Sequence, residues 1–255
     1  MTRASYPSLR DRVVFISGGA SGIGEAMVTA FAAQGARVGF VDLDEEAGLA
    51  LAQKLNRSAA SEHVLFSRCD VTDTTALQAA IARLRERFGP VGVLVNNAAN
   101  DRRHQLQEVT PEFFDQEIAV NLKHQFFAAQ AVAPDMAALG MGSIINLGST
   151  SWMIKGAGYP IYATCKAAIR GLTRSLARDL GKQNIRVNSL VPGWVMTERQ
   201  LKLWVKPESA AEIDAAQCLP GRLAPEDVAD LALFLGADDS RMCTAQDFVV
   251  DAGWS

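Results

Sequence analysis

The chain alternates between two kinds of segment. Short apolar runs occupy residues 13–16, 37–41, 63–67, 91–95, 143–147 and 185–191. Stretches with helical spacing separate them, at 22–34, 44–56, 74–88, 110–139 and 162–180. Strands that are apolar throughout, rather than at every second residue, belong to a parallel sheet covered on both faces. Right-handed crossovers then wind it twice. The expectation is a single α/β domain with a Rossmann-like, mostly parallel sheet of seven strands, closed by a short helix at 225–235 and a last strand at 247–250. Thr110 and Pro111 suit the cap and first position of one long helix running to Leu139. Residues 195–221 break the rhythm and carry Trp204, Pro207 and Pro220. An insert of that length reads as a substrate lid, the alternative being a surface excursion or a subunit contact.

Composition narrows the partners. With 49% apolar and 21% charged residues over 255 positions, the chain can build a core. Its 25 Lys and Arg against 28 Asp and Glu give a net charge of −3. That excess has the wrong sign for a phosphate backbone, so no nucleic-acid partner is expected. No apolar run reaches the ~18 residues of a membrane span, and Met1 to Arg10 has no secretory h-region. Cys69, Cys165, Cys218 and Cys243 are far apart, without a CxxC pair. His63, His104 and His124 are equally scattered. The expectation is no metal, unpaired thiols and a cytoplasmic location.

The first strand runs into Ser17-Gly18-Gly19-Ala20-Ser21-Gly22-Ile23-Gly24. Glycines there permit a tight turn and close approach of a pyrophosphate, and the helix that follows offers free N–H groups. Met27 stands where a GxGxxG pattern would place its third glycine. Asp42 closes the second strand eighteen residues after Gly24. A carboxylate there accepts bonds from the ribose hydroxyls and repels a 2′-phosphate, which favours NAD over NADP. The competing role for Asp42 is to cap the next helix. Asp70-Val71, after the third strand, suits an adenine pocket with an acceptor and an apolar wall.

These residues, with Asn96-Asn97-Ala98-Ala99, Asn121, Ser149, Tyr162-Ala163-Thr164-Cys165-Lys166 and Pro192-Gly193, resemble the short-chain dehydrogenase/reductase family over about residues 9–255. Ser17 replaces the usual Thr of its TGxxxGxG motif, and Ala99 replaces the Gly of NNAG. The resemblance implies a catalytic group of Asn121, Ser149, Tyr162 and Lys166. It places Gly18, Ser21, Ile23 and Gly24 at the pyrophosphate and Asn97 at the ribose. Val195 would line the nicotinamide and Thr197 would hold its carboxamide. Gly22, Leu43, Asp70, Val71, Ala98, Ala99, Pro192 and Gly193 complete the expected cofactor lining. The family is usually oligomeric, and a homotetramer is expected.

Tyr162 and Lys166 stand four apart, on one face of a helix start. An ammonium and a positively charged nicotinamide would both favour a phenolate. Tyr162 can then take a proton from a substrate hydroxyl as hydride leaves the carbon. Ser149 can hydrogen-bond the same oxygen, and the family precedent has the Asn121 carbonyl hold a relay water. Asn100, His104, Trp152, Trp194 and Gln217, with Ser149 and Tyr162, are the candidate substrate contacts. Trp faces suit the C–H side of a sugar ring, and amide and imidazole groups suit its hydroxyls. The strings NDRRH, GSTSW, AQCLPGR and DAGWS are most similar to bacterial NAD-dependent aldose 1-dehydrogenases of the D-xylose type. That resemblance implies oxidation of a monosaccharide to an aldonolactone. The alternative is another alcohol or ketone, such as a sugar acid, a hydroxyacyl thioester or a steroid.

Overall fold

A computed structural model describes residues 4–57, 62–206 and 208–255. Pro207, inside the expected lid, and the first three residues of the stretch read for a leader lie outside the described residues.

Seven strands form one sheet in the order β3-β2-β1-β4-β5-β6-β7, and every neighbouring pair is parallel. They are β1 (Val13–Ser17), β2 (Arg37–Asp42), β3 (Val64–Arg68), β4 (Val93–Asn96), β5 (Gly142–Leu147), β6 (Ile185–Pro192) and β7 (Asp247–Val250). The central strands β1, β4, β5 and β6 are buried at every residue, which is why their sequences are continuous rather than alternating. One face packs against α1 (Gly22–Ala33), α2 (Glu45–Arg57) and a C-terminal helix at Pro225–Gly236, through Met27, Phe31, Leu51, Val228 and Leu233. The other packs against α3 (Thr74–Phe88), through Leu77 and Ile81, and against two later helices through Val132, Met136 and Ala177.

The strand order reverses between β1 and β4. Chains leaving adjacent strands in opposite directions open a crevice at the carboxyl ends, where such sheets bind ligands. Ser17 and Asn97 meet there. The buried Ser17 hydroxyl accepts from the backbone N–H of Asn97 and of Ala98, both at 3.1 Å. The Ser for Thr exchange therefore keeps the group that ties the two strand ends together.

The expected long helix is in three pieces. Thr110 caps α4 (Pro111–Ile118), its hydroxyl accepting from the N–H of Phe113. A π-helical turn follows at Ala119–Lys123, and α5 (His124–Leu139) continues. The cause is local. Asn121 Nδ2 donates to the carbonyl of Glu117 at 3.0 Å, competing for an acceptor of the helical ladder. After β5 come α6 (Pro160–Leu180) and β6. The 195–221 segment folds into α7 (Glu198–Leu203) and α8 (Ser209–Ala216), and α9 is the helix at Pro225–Gly236.

Candidate active site

Two connected hollows open over the carboxyl ends of the strands. The larger, about 1110 Å³, is lined by Gly18, Ser21, Gly22, Ile23, Gly24, Asp42, Leu43, Asp70, Val71, Asn97, Ala98, Ala99, Asn100 and Thr197, all of them expected site residues. The smaller, about 430 Å³, is lined by Ser149, Tyr162, Lys166, Pro192, Gly193, Trp194, Val195 and Thr197. Tyr162 faces both.

The larger cleft fits a dinucleotide. Gly18 has φ +68°, and a Cβ on it would sit 2.8 Å from Ala98 Cα. A side chain on Gly24 would run into the Gly18 carbonyl. Both glycines are therefore required for the turn to close. Ser21, at the N-cap of α1, makes no side-chain cap bond, so the first-turn N–H groups are left for an anion. Asp44, not Asp42, caps α2, accepting from the N–H of Ala47. Asp42 instead accepts from the N–H of Ala20 at 2.9 Å and of Asp44 at 3.1 Å, holding the glycine turn against β2. Each oxygen keeps acceptor capacity for a ribose hydroxyl. Lys54 of α2 also lines this cleft, a cation that the spacing along the sequence did not place there.

The chemistry-bearing residues converge below the smaller cavity. Lys166 is buried, and its Nζ donates to the Leu147 carbonyl at 2.7 Å, 5.5 Å from the centre of the Tyr162 ring. Burial pushes the lysine down to about 8. Burial is also the largest influence on Tyr162 and pushes its phenol up; the Ser149 hydroxyl and the Arg103 guanidinium pull it back, and Asp101 opposes them. The expected acidification of the phenol by Lys166 is therefore not a property of the protein alone. Asn121 is fully buried, its Oδ1 accepting from the N–H of Asn100 at 2.9 Å and its Nδ2 donating to Glu117 Oε2 at 3.2 Å. Its side chain thus fixes the loop after β4.

Three expected substrate contacts line neither hollow. His104 packs edge-on against Phe113, with Nδ1 3.1 Å from the Arg102 carbonyl. Trp152 lies under the Arg170 guanidinium, 5.9 Å away. The amide atoms of Gln217 are buried away from both cavities. His104 and Trp152 neighbour cavity residues in sequence, but their side chains are taken up by Phe113 and Arg170. In their place Asp101, Arg103, Tyr159, Gln200 and Trp254 line the smaller cavity. Trp254 lies 6.0 Å from Trp194, and Trp194 Nε1 donates to Gln200 Oε1. Apart from the aromatic character of DAGWS, no local signal marked Trp254. Among the described residues no group of three or more His, Cys, Asp or Glu could hold a metal ion.

His124 is a second residue the sequence reading left without a role. It is buried, and Nε2 lies 3.0 Å from the Ala98 carbonyl. A carbonyl only accepts, so Nε2 carries the proton. Burial, then the charge of Lys166, pushes this histidine down to about 3, from 6.5. The native state therefore binds fewer protons than the unfolded chain between those values, and the stability tied to neutral His124 is complete above 6.5 and falls as the pH drops towards 3. His124→Gln should flatten the decline of urea-unfolding stability between about pH 6.5 and 4. An unchanged slope would remove His124 as its source.

Residues 18–255 match the family model described as enoyl-(acyl carrier protein) reductase. The chain is 48% identical over 254 residues to the D-xylose 1-dehydrogenase of Caulobacter vibrioides, covering 100% of both. The chain belongs to the short-chain dehydrogenase/reductase family. It is an oxidoreductase, and dehydrogenases of this family work with a nicotinamide dinucleotide. A Rhizobium meliloti protein described as "Probable galactose dehydrogenase" is 46% identical over 251 residues, covering 98% of this chain and 97% of its own. Among solved structures, a 3-oxoacyl-[acyl-carrier protein] reductase from Brucella melitensis superposes with a TM-score of 0.89 at 31% identity, covering 99% of this chain and 97% of that one. No helix among the described residues is long and apolar enough to cross a membrane.

Proposed function

We propose that this short-chain dehydrogenase oxidises the anomeric hydroxyl of a monosaccharide to an aldonolactone with NAD, as a single domain whose 195–221 segment forms the lid. The observation that carries this reading is the smaller cavity: Tyr162 and Ser149 face an aromatic corner of Trp194 and Trp254, between polar walls that include Asp101, Arg103 and Gln200. A ring with one apolar face and a rim of hydroxyls suits that lining. The identity of 48% to a D-xylose 1-dehydrogenase supports it.

The lining of the larger cleft, Gly18, Ser21, Asp42 and Asn97 among it, would hold a nicotinamide dinucleotide, which in its oxidised form would supply a hydride acceptor and a positive charge. The protein's own groups do the rest. Trp194 and Trp254 orient the sugar ring. Ser149 donates to the reacting oxygen and Tyr162 takes its proton, with Lys166 holding positive charge nearby. The C–H bond is lost as hydride, the O–H bond as a proton, and the carbonyl of the lactone forms. Asn97, which donates to the Ser17 and Gly18 carbonyls at 3.1 and 2.7 Å, and Asp42 fix the turn that receives the dinucleotide.

An NAD-supplied panel of D-xylose, L-arabinose, D-galactose, D-glucose and L-fucose should yield NADH with at least one sugar. Turnover of some other alcohol and of none of these sugars would overturn the reading. Against a steroid site stand the polar and charged groups of the smaller cavity, Asp101, Arg103, Gln200 and Glu212. We further propose a cytoplasmic homotetramer. Four unpaired thiols, Cys69, Cys165, Cys218 and Cys243, support a reducing compartment. Exposed Phe114 and Phe126 on α4 and α5 support a helix-mediated subunit contact, which sedimentation velocity tests.

A further inference from the structure

Arg103 stands on the loop after β4, in the wall of the smaller cavity. Its guanidinium carbon lies 4.2 Å from the centre of the Tyr159 ring and 5.0 Å from that of Trp204. Tyr159 precedes α6 and Trp204 ends α7, so two separate elements grip the group. Rings attract its face and leave its in-plane N–H donors unspent. Nη1 makes a long bond of 3.4 Å to the Ala157 carbonyl, and Nε is buried without a partner. Neighbouring arginines are paired: Arg102 with Glu117 at 3.9 Å and Arg199 with Asp101 at 3.3 Å. Among the described residues no carboxylate pairs with Arg103.

The geometry points to Arg103 as the specificity residue of this cavity, its fork of N–H groups taking two adjacent hydroxyl oxygens of an uncharged sugar, away from the carbon that is oxidised. The assignment rests on the sugar reading of the same site. The charge of the lining favours a neutral occupant. Arg103 and Lys166 are balanced by Asp101 and Glu212. Arg103 is also one of the two groups that pull the Tyr162 phenol down. Hydroxyls accept its N–H groups and leave that positive charge in place, whereas a carboxylate seated there would cancel it.

The test is a matrix of the full chain and two variants, Arg103→Met and Arg103→Lys, against the preferred aldose, its monodeoxy forms and its uronate. A hydrogen bond to a charged group corresponds to about 10- to 100-fold in kcat/KM. The parent should lose that factor on at least one deoxy sugar and should favour the aldose over the uronate. Arg103→Met, which removes both bonds, should lose more on the intact aldose than the parent loses on that deoxy sugar, and should no longer distinguish the aldose from its deoxy form. Arg103→Lys, a point charge without the fork, should recover only part. Dinucleotide binding followed by fluorescence identifies a variant that has not folded, and Arg103→Lys then carries the comparison. A deoxy penalty equal in parent and variants, or a uronate preferred to the aldose, overturns the Arg103 assignment alone. A parent that turns over no aldose overturns the functional reading and this one with it.

Discussion

Tyr162→Phe should lose turnover by about 10²- to 10⁴-fold, the usual span for a positioned acid–base group, while dinucleotide affinity stays within a few-fold of the parent. The change deletes one oxygen from a half-buried ring at the start of α6. Tyr162 also lines the larger cleft, but its ring stays in place and the glycine turn, Asp42 and Asp70 come from other elements, so the shape of the cleft survives. The structure adds a condition to the expected result. Burial pushes the phenol up in the protein alone, so its acidity depends on positive charge arriving with the dinucleotide. Oxidised dinucleotide binding to the parent should therefore release protons and tighten as the pH rises, and in Tyr162→Phe this pH dependence should be much weaker. Turnover of the variant within a few-fold of the parent would remove Tyr162 as the base.

Asp42→Ala with Leu43→Arg should move the ratio of kcat/KM for NAD over NADP towards NADP by roughly 10²-fold, the worth of exchanging a charge-assisted bond for repulsion. Leu43 is exposed beside the same cleft, where an arginine can reach a 2′-phosphate, and Lys54 already supplies one cation there. Asp42 also supports the glycine turn through Ala20 N–H, so the alanine leaves that donor without its acceptor. Asp42→Asn separates the two effects, since an amide oxygen keeps the acceptor and drops the charge. An unchanged ratio in both variants would count against Asp42 as the ribose-reading group.

The same residues show how far the sequence could be read. Ser17 to Gly24, Asp42 and Asp70 were legible because each is fixed by a strand end, and strand ends follow from apolar runs. Helical spacing put Tyr162 and Lys166 on one face, but it was the family resemblance, not the spacing, that marked them as a catalytic pair. Asn121 was placed correctly in the chain but in the wrong local structure, because a π-turn depends on a side chain taking a backbone acceptor rather than on periodicity. His104 and Trp152 share strings with cavity residues, and Gln217 lies in one that follows the cavity residue Glu212, yet none of the three lines either hollow.

What the amino-acid order determined by itself was the doubly wound sheet, the crevice between β1 and β4, and the residues delivered to its rim. Those features rest on interactions local in sequence: burial of continuous strands, glycine turns and helix periodicity. Only the tertiary structure decided which groups form the substrate wall. Arg103, Tyr159, Glu212 and Trp254, which line the smaller cavity, come from four separate loops and helices spread over more than half the chain. Whether their side chains meet depends on the packing of those segments over the sheet, a relation between distant residues that no spacing along the chain records.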